Sequence, residues 1–187
     1  MQTRRKLLSA AVEELLEHGY AGLSTAAVAR RAGVSRGAQQ NHFPHKQTLV
    51  MEAVGHLAQL QREELAARVE HMPRGRARVQ TGLDVLFEAY SGPLFAAVLE
   101  LSLASRDDAV LQEVILAEER ATTDAMHETA KTIFGDEFPR DREQGRRWAT
   151  ALSAIRGIAV LKMLGHPAEA ADRQWVATRG QLIELLG

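Results

Sequence analysis

The chain contains no cysteine. Disulfides, thiolate nucleophiles, iron–sulfur ligation by cysteine and every cysteine-based zinc site are thereby excluded. Net charge is nearly absent as well, at −1 over 187 residues. No segment alternates β-branched and aromatic residues as a sheet would. No apolar run reaches the roughly 18 residues of a membrane span. The opening MQTRRKLLSA leads into an amphipathic pattern broken by Glu13, Glu14 and Glu17, so a secretory or membrane-spanning reading fails and a cytoplasmic chain is expected.

What is present is alanine and leucine, 30 and 23 residues, with apolar side chains recurring at spacings of three or four. That period predicts an all-helical fold. A hydrophobic share of 45% against 25% charged residues excludes disorder and supports a real core. The balanced charge conceals an asymmetry: residues 1–50 carry seven Arg/Lys and three Glu, and the remainder carries sixteen Arg/Lys and twenty-one Asp/Glu. A basic head thus precedes an acidic body, and an anionic partner suits the head.

The period places a first helix over 3–18, with Leu8, Ala11, Val12, Leu15 and Leu16 on its buried stripe and Gly19 near its C-terminal cap. Tyr20 and Leu23 read as packing residues of a short connection. Longer helices are expected over 46–70, 75–90, from Leu94 onward, from Asp107 and Asp108 to about 133, over 141–164 and over 168–186. The first of these buries Val50, Ala53, Val54, Leu57 and Leu60, and the one reaching 133 runs through Val110, Val114, Ala117, Ala121 and Ala125. HMPRG at 71–75, SGP at 91–93, the loop from Gly135 to Asp141 and GHP at 165–167 separate them.

Between the first helix and 46 lies the segment that speaks about function. Ser24 is a plausible N-cap for TAAVARRA, which stops at Gly33, and Ser35 caps RGAQQNH before Phe43 and Pro44 end it. Two short helices joined by AGVS, with small Ala29 at the crossing, form a helix-turn-helix pattern whose second helix can enter the DNA major groove. An ordinary helical hairpin shares the spacing, but not the combination of caps, turn glycine and basic residues.

Residues 23–50, LSTAAVARRAGVSRGAQQNHFPHKQTLV, resemble the N-terminal signature of TetR-type transcriptional regulators, above all AxxAGVSxG followed by HF and Lys46. The resemblance implies an all-α homodimer with a three-helix DNA-binding head, here 1–46, and a helical effector-binding and dimerisation domain, here 47–187. It also implies a repressor released from a near-palindromic operator in double-stranded DNA by a small, largely apolar effector. Ser24, Thr25, Ser35, Arg36, Gly37, Gln39, Gln40, Asn41, His42 and Lys46 are the DNA-facing set it implies, with Ser35 capping the recognition helix, Lys46 on phosphate and Phe43 packing the head. Arg can pair with guanine and Gln or Asn with adenine, and either can hold phosphate instead. The chain departs from the family at Ala38-Gln39-Gln40, where Thr-Leu-Tyr is usual. Gln40 can donate to the phosphate that the tyrosine would contact, whereas Gln39 either turns outward to read bases or stays partly buried and hydrogen-bonded.

In the body, Phe87, Tyr90, Phe95, Met126, His127 and Arg156 are the candidate effector pocket, the polar members orienting a ligand amid apolar walls. Completion of a packed core is the alternative for the same residues. Trp148, Leu152 and Ile155, with Trp175, Leu182 and Leu185, recur at helical spacing along the last two helices and are candidate dimer-interface or core positions. No enzyme is expected, because P-loop and dinucleotide-binding patterns are absent and His42 and His45 straddle Pro44 with no carboxylate at metalloprotease spacing. The isolated His56, His71, His127 and His166 read as solvated or hydrogen-bonded imidazoles, so no metal and no cofactor are assigned. The rival function is a helical scaffold or protein-interaction dimer without specific DNA binding, which leaves the 24–46 segment unexplained.

Overall fold

The computed structural model describes residues 2–72 and 76–186. Pro73 to Gly75 of the expected break, and the roles expected of the Leu94 and Asp107 side chains, lie outside the described residues. Among those described, every regular element is helical: α1 (Gln2–Gly22), α2 (Thr25–Ala32), α3 (Arg36–His42), α4 (Lys46–Glu70), α5 (Arg76–Tyr90), α6 (Pro93–Ala104), a 3-10 turn (Ser105–Asp107), α7 (Ala109–Phe134), α8 (Arg142–Met163) and α9 (Ala168–Leu186). No single described helix is long and apolar enough to cross a membrane.

The helices form two compact units, one of residues 1–61 with 97–122 and the other of 62–96 with 123–187. In the first, α1 packs on α2 and α3. Leu7, Ala11, Leu15, Val28 and Phe43 are almost fully buried there, as are Leu49 and Leu57 of α4. Leu16 is the exception to the expected α1 stripe: it is 38% exposed, and the buried position beside Leu15 is Glu14. A carboxylate is tolerated there because Arg31 of α2 donates from Nε to Glu14 at 2.7 Å and reaches Glu17 and Glu13 with its other nitrogens. Hydrogen bonds to Glu17 and then Glu14 push the Arg31 guanidinium above its ordinary value, and the same bond to Arg31 holds Glu17 below the usual carboxylate range.

In the second unit α5 packs on α8 and α9, which also pack on each other. Phe87 stacks on Trp175 at 4.4 Å between centroids, while Trp148 meets Phe134 and Phe138 edge-on at 5.7 and 5.8 Å. Asp84 of α5 accepts from Trp175 Nε1 at 2.8 Å and pairs with Arg179 Nη1 at 2.6 Å, which ties α5 to α9.

Two stripes differ from expectation. Along α7 the buried residues are Leu111, Ile115, Met126, Ala130 and Ile133, whereas Val110 is 52% exposed and Ala117 and Ala121 face solvent. The helix is turned by about one position because the larger side chains at 111, 115 and 126 bury more apolar area than the alanines. Along α4, Leu60 is 40% exposed and burial continues through Leu65 and Val69.

Candidate nucleic-acid interface and sensor core

The helix-turn-helix is built from its caps. Ser24, extended at φ −130° and ψ 146°, accepts from Ala27 N–H through Oγ at 3.2 Å and starts α2. Gly33 ends it in the left-handed region, φ 65° and ψ 35°, where its N–H meets Arg30 O at 3.1 Å and the Val34 N–H meets Ala29 O at 3.1 Å. Ser35 then accepts from Ala38 N–H at 3.1 Å and starts α3.

On α3, Arg36, Gly37, Gln40, Asn41 and His42 are all exposed. Arg36 and Gln40 are four residues apart, as are Gly37 and Asn41, so the four occupy two adjacent rows of one open face. A Cβ built on Gly37 meets nothing within 4 Å, so no contact inside the protein demands a glycine there.

Gln39 does not join this face. Its side chain is 4% exposed, and Nε2 donates to the Phe43 carbonyl at 2.6 Å across the end of α3. The assignment of Gln39 to the DNA-facing set is therefore corrected: reaching a base edge would pull a polar side chain out of the core and leave that carbonyl without its donor. Among the two readings open at this position, the buried, hydrogen-bonded one describes the fold. Lys46 is half-buried, donates to the Tyr20 carbonyl at 3.0 Å and lies 4.7 Å from the centre of the Tyr20 ring. Tyr20 N–H in turn donates to Glu100 of α6 at 2.9 Å. Ser24 and Ser35 are exposed at the two caps, and Thr25 is half-buried at the start of α2.

Sequence patterns missed Glu100 because it stands 80 residues from its partner, and nothing around it marks a link to the head. Gly19 was the available signal for the other side: its φ of 67° breaks α1, and a Cβ there would fall 2.2 Å from Glu100 Oε1. A second pair was equally silent in the sequence, Gln47 Nε2 donating to both Asp108 carboxylate oxygens at 3.1 Å while Asp108 caps α7 through Leu111 N–H at 3.0 Å.

Of the candidate effector residues, Phe87, Tyr90 and Met126 are buried in the core of the second unit, with Phe95 half-buried and packed edge-on to Tyr90 at 4.9 Å. Arg156 Nη2 donates to Tyr90 Oη at 3.1 Å. His127 does not belong with them: it is exposed, its Nδ1 lies 2.9 Å from Thr123 O on its own helix, and it is removed from the pocket set. A separate, mostly apolar cleft of about 520 Å³ runs between the C-terminal halves of α4 and α7, lined by Leu65, Ala66, Val69, Ala125 and Thr129 with Arg62 and Glu128 among its polar edges. Among the described residues no group of three or more His, Asp or Glu side chains could hold a metal ion.

The candidate interface residues also move. Trp148 is 1% exposed, Ile155 0%, Leu182 4% and Trp175 5%, with Leu152 buried and Leu185 packed against the same core. Of the two readings open for these residues, the core one describes their burial within the second unit. Among the charged residues they expose, the two helices also present small or short side chains: Thr150, Ser153 and Gly157 on α8, and Val176, Ala177 and Gly180 on α9.

Residues 7–53 match the family model described as bacterial regulatory proteins, tetR family. The HTH-type transcriptional regulator CymR of Pseudomonas putida is 31% identical over 92% of this chain and 85% of its own length. The chain belongs to the TetR family. The HTH-type transcriptional regulator BetI of Escherichia coli is 24% identical over 87% of this chain and 88% of its own. Among solved structures, a Saccharomonospora viridis protein in complex with choline superposes with a TM-score of 0.74 at 17% identity, over 97% of this chain and 95% of that one. The TetR assignment makes the protein a DNA-binding transcriptional regulator with a ligand-sensing region, and not an enzyme.

Proposed function

We propose that this TetR protein is a homodimeric repressor whose head, residues 1–46, reads a near-palindromic operator and whose body, 47–187, releases it on binding a small effector. The observation that carries the reading is the open face of α3, where Arg36, Gly37, Gln40 and Asn41 are exposed together while the fourth long polar residue, Gln39, is retained in the core. Arg36, Gln40 and Asn41 offer base-edge donors and acceptors, and the bare Gly37 surface lets a base or phosphate approach the backbone. His42 stands at the end of this face. Ser24, Thr25, Ser35 and Lys46 flank it at helix N-termini, where phosphate oxygens are bound.

Two-fold symmetry supplies a second recognition helix, since one seven-residue helix covers too little of an operator for specific binding. The exposed small residues of α8 and α9 support a partner there: a Cβ on Gly157 or Gly180 meets nothing within 4 Å, and Val176 is 58% exposed. Close helix packing against a second copy accounts for both features. The effector is assigned to Phe87, Tyr90, Phe95, Met126 and Arg156.

The test is fluorescence anisotropy on the DNA flanking the protein's own gene, against a scrambled duplex, over a salt series. Specific binding should fall by roughly 1–3 kcal/mol when Asn41 or Arg36 becomes Ala and a bidentate base contact is lost. Lys46→Ala should weaken both duplexes alike and lower the salt slope by about one unit. Equal losses on both duplexes for every substitution would remove the recognition assignment, and a monomer in sedimentation equilibrium at micromolar concentration would remove the dimer.

A further inference from the structure

The cations that reach toward the core of the second unit beside Arg156 have a carboxylate: Arg68 pairs with Glu88, Arg179 with Asp84 and Lys162 with Asp172. Arg156 does not. Its guanidinium lies 5.1 Å from the centre of the Tyr90 ring and donates from Nη2 to the Tyr90 hydroxyl at 3.1 Å. Its Nε is buried with no acceptor, and among the described residues no carboxylate pairs with it. The hydroxyl of Ser91, the next residue along from Tyr90, is likewise buried without a partner.

A guanidinium remains charged at every physiological pH, so it cannot relieve an unmet buried donor by losing its proton. One neutral hydroxyl and one ring face do not replace the water it has given up. A planar anionic acceptor able to take Nε–H together with a neighbouring Nη–H matches this donor set. Tyr90 suits the same group, because its oxygen accepts from Arg156 while its own O–H remains free to donate. Phe95, edge-on to Tyr90 at 4.9 Å, gives an apolar body something to lie against. A cationic ligand fits poorly, since the Tyr90 face already carries Arg156 and the Phe87 face carries Lys162 Nζ at 5.6 Å.

We propose that Arg156, assisted by Tyr90, is an anion-binding group and that the effector is a carboxylate on an aromatic or aliphatic body. This rests on the reading that the body binds an effector, and it narrows the chemical class of that molecule. Arg156 as a whole is half-buried while its Nε and Tyr90 lie inside, so the carboxylate has to enter between α5 and α8 to meet them.

The test uses the full chain with benzoate, phenylacetate and octanoate as probes, against benzamide, phenylacetamide, octanamide and choline. Binding is read by thermal shift and calorimetry, and release by operator anisotropy. At least one carboxylate should bind more tightly than its amide, and Arg156→Met should weaken that carboxylate by at least about 30-fold, with its amide little affected. Arg156→Lys should keep the preference for the acid. Tyr90→Phe, which retains the guanidinium, serves if the Met variant does not fold, and should reduce carboxylate affinity while preserving the order of acid over amide. Amides or choline binding as well as the acids, the acid preference surviving Arg156→Met, or no carboxylate binding at millimolar concentration would each overturn the inference. Release by amides or choline alone would leave the effector reading standing without the anion site. Arg156-dependent carboxylate binding with unchanged operator affinity would leave the anion site standing and remove effector release.

Discussion

Replacing Gln39 with Ala separates a residue that builds the recognition helix from those that read through it. The substitution deletes the 2.6 Å hydrogen bond from Nε2 to the Phe43 carbonyl, made by a side chain only 4% exposed. A net intramolecular hydrogen bond contributes about 1 kcal/mol, and the buried Cγ methylene adds about 0.8 kcal/mol. The expected loss of stability is therefore about 2 kcal/mol, visible as a lower midpoint in urea unfolding. Because Gln39 touches no base, the ratio of operator to scrambled-duplex affinity should stay within about 0.3 kcal/mol of its original value, the spread ordinary for an independent site. Asn41→Ala should show the opposite pattern, with near-unchanged stability and roughly 1–3 kcal/mol less discrimination if the asparagine pairs with adenine. The two columns of data, stability and discrimination, should thus be filled by different residues. If Gln39→Ala leaves the unfolding midpoint unmoved yet relaxes preference at one operator position, the side chain swings out on DNA and its placement in the core does not describe the bound protein.

Gly33→Ala tests the turn by conformation alone, because a Cβ there meets nothing within 4 Å and only the φ of 65° is strained; the expected cost is about 1–2 kcal/mol in chemical denaturation. Asp84→Ala removes the acceptor of Trp175 Nε1 and the partner of Arg179, both half in solvent or less, and should destabilise the second unit by about 1–3 kcal/mol with a change in tryptophan emission. The Arg31 clamp predicts a pH dependence of definite sign. Glu17 is held below the ordinary carboxylate range by its bond to Arg31, so its contribution is full above that range and is lost as pH falls through the lowered value. Acid unfolding followed by circular dichroism should accordingly be shallower in Arg31→Met than in the parent, and an unchanged acid limb would show that this exposed pair contributes nothing.

The elements most legible in the sequence are those fixed locally. α2 and α3 occupy the residues expected of them because Ser24, Gly33 and Ser35 act within three or four positions of themselves, and such contacts depend little on the rest of the fold. Periodicity alone served less well. On α7 the alanines at 117, 121 and 125 fit a helical stripe as well as Leu111, Ile115 and Met126 do, and only the competition for buried area chooses between faces one position apart. Trp148 and Trp175 posed the same difficulty at larger scale. Broad apolar sectors signal that a helix is covered on two sides, but not whether its own chain or a partner supplies the cover. Here Phe134, Phe138 and Phe87 supply it, which leaves the small residues of α8 and α9 outside. Gln39 was ambiguous because an amide satisfies a backbone carbonyl and a base edge with the same atoms. The Tyr20–Glu100 contact had no local sign at all.

That contact carries a consequence for how the first unit behaves on DNA. Lys46 is held by the carbonyl of Tyr20, and the N–H of the same residue is held by Glu100, so the side chain assigned to phosphate is positioned through one peptide segment by a carboxylate on α6. Gly19 makes the arrangement possible, since its φ of 67° turns the chain toward Glu100 where a Cβ would collide. Movement of α6 relative to α1 would loosen Tyr20 first and Lys46 second, without disturbing the open face of α3. Glu100→Ala should therefore weaken operator and scrambled DNA by the same factor. With about 1 kcal/mol for the lost bond, that factor is up to about fivefold, and the salt slope should shift towards that of Lys46→Ala. Combining the two substitutions should add little to Lys46→Ala alone, because the glutamate acts through the lysine. Additive losses in the double variant, or a change in preference among operator sequences, would show that Glu100 reaches the DNA interface by another route.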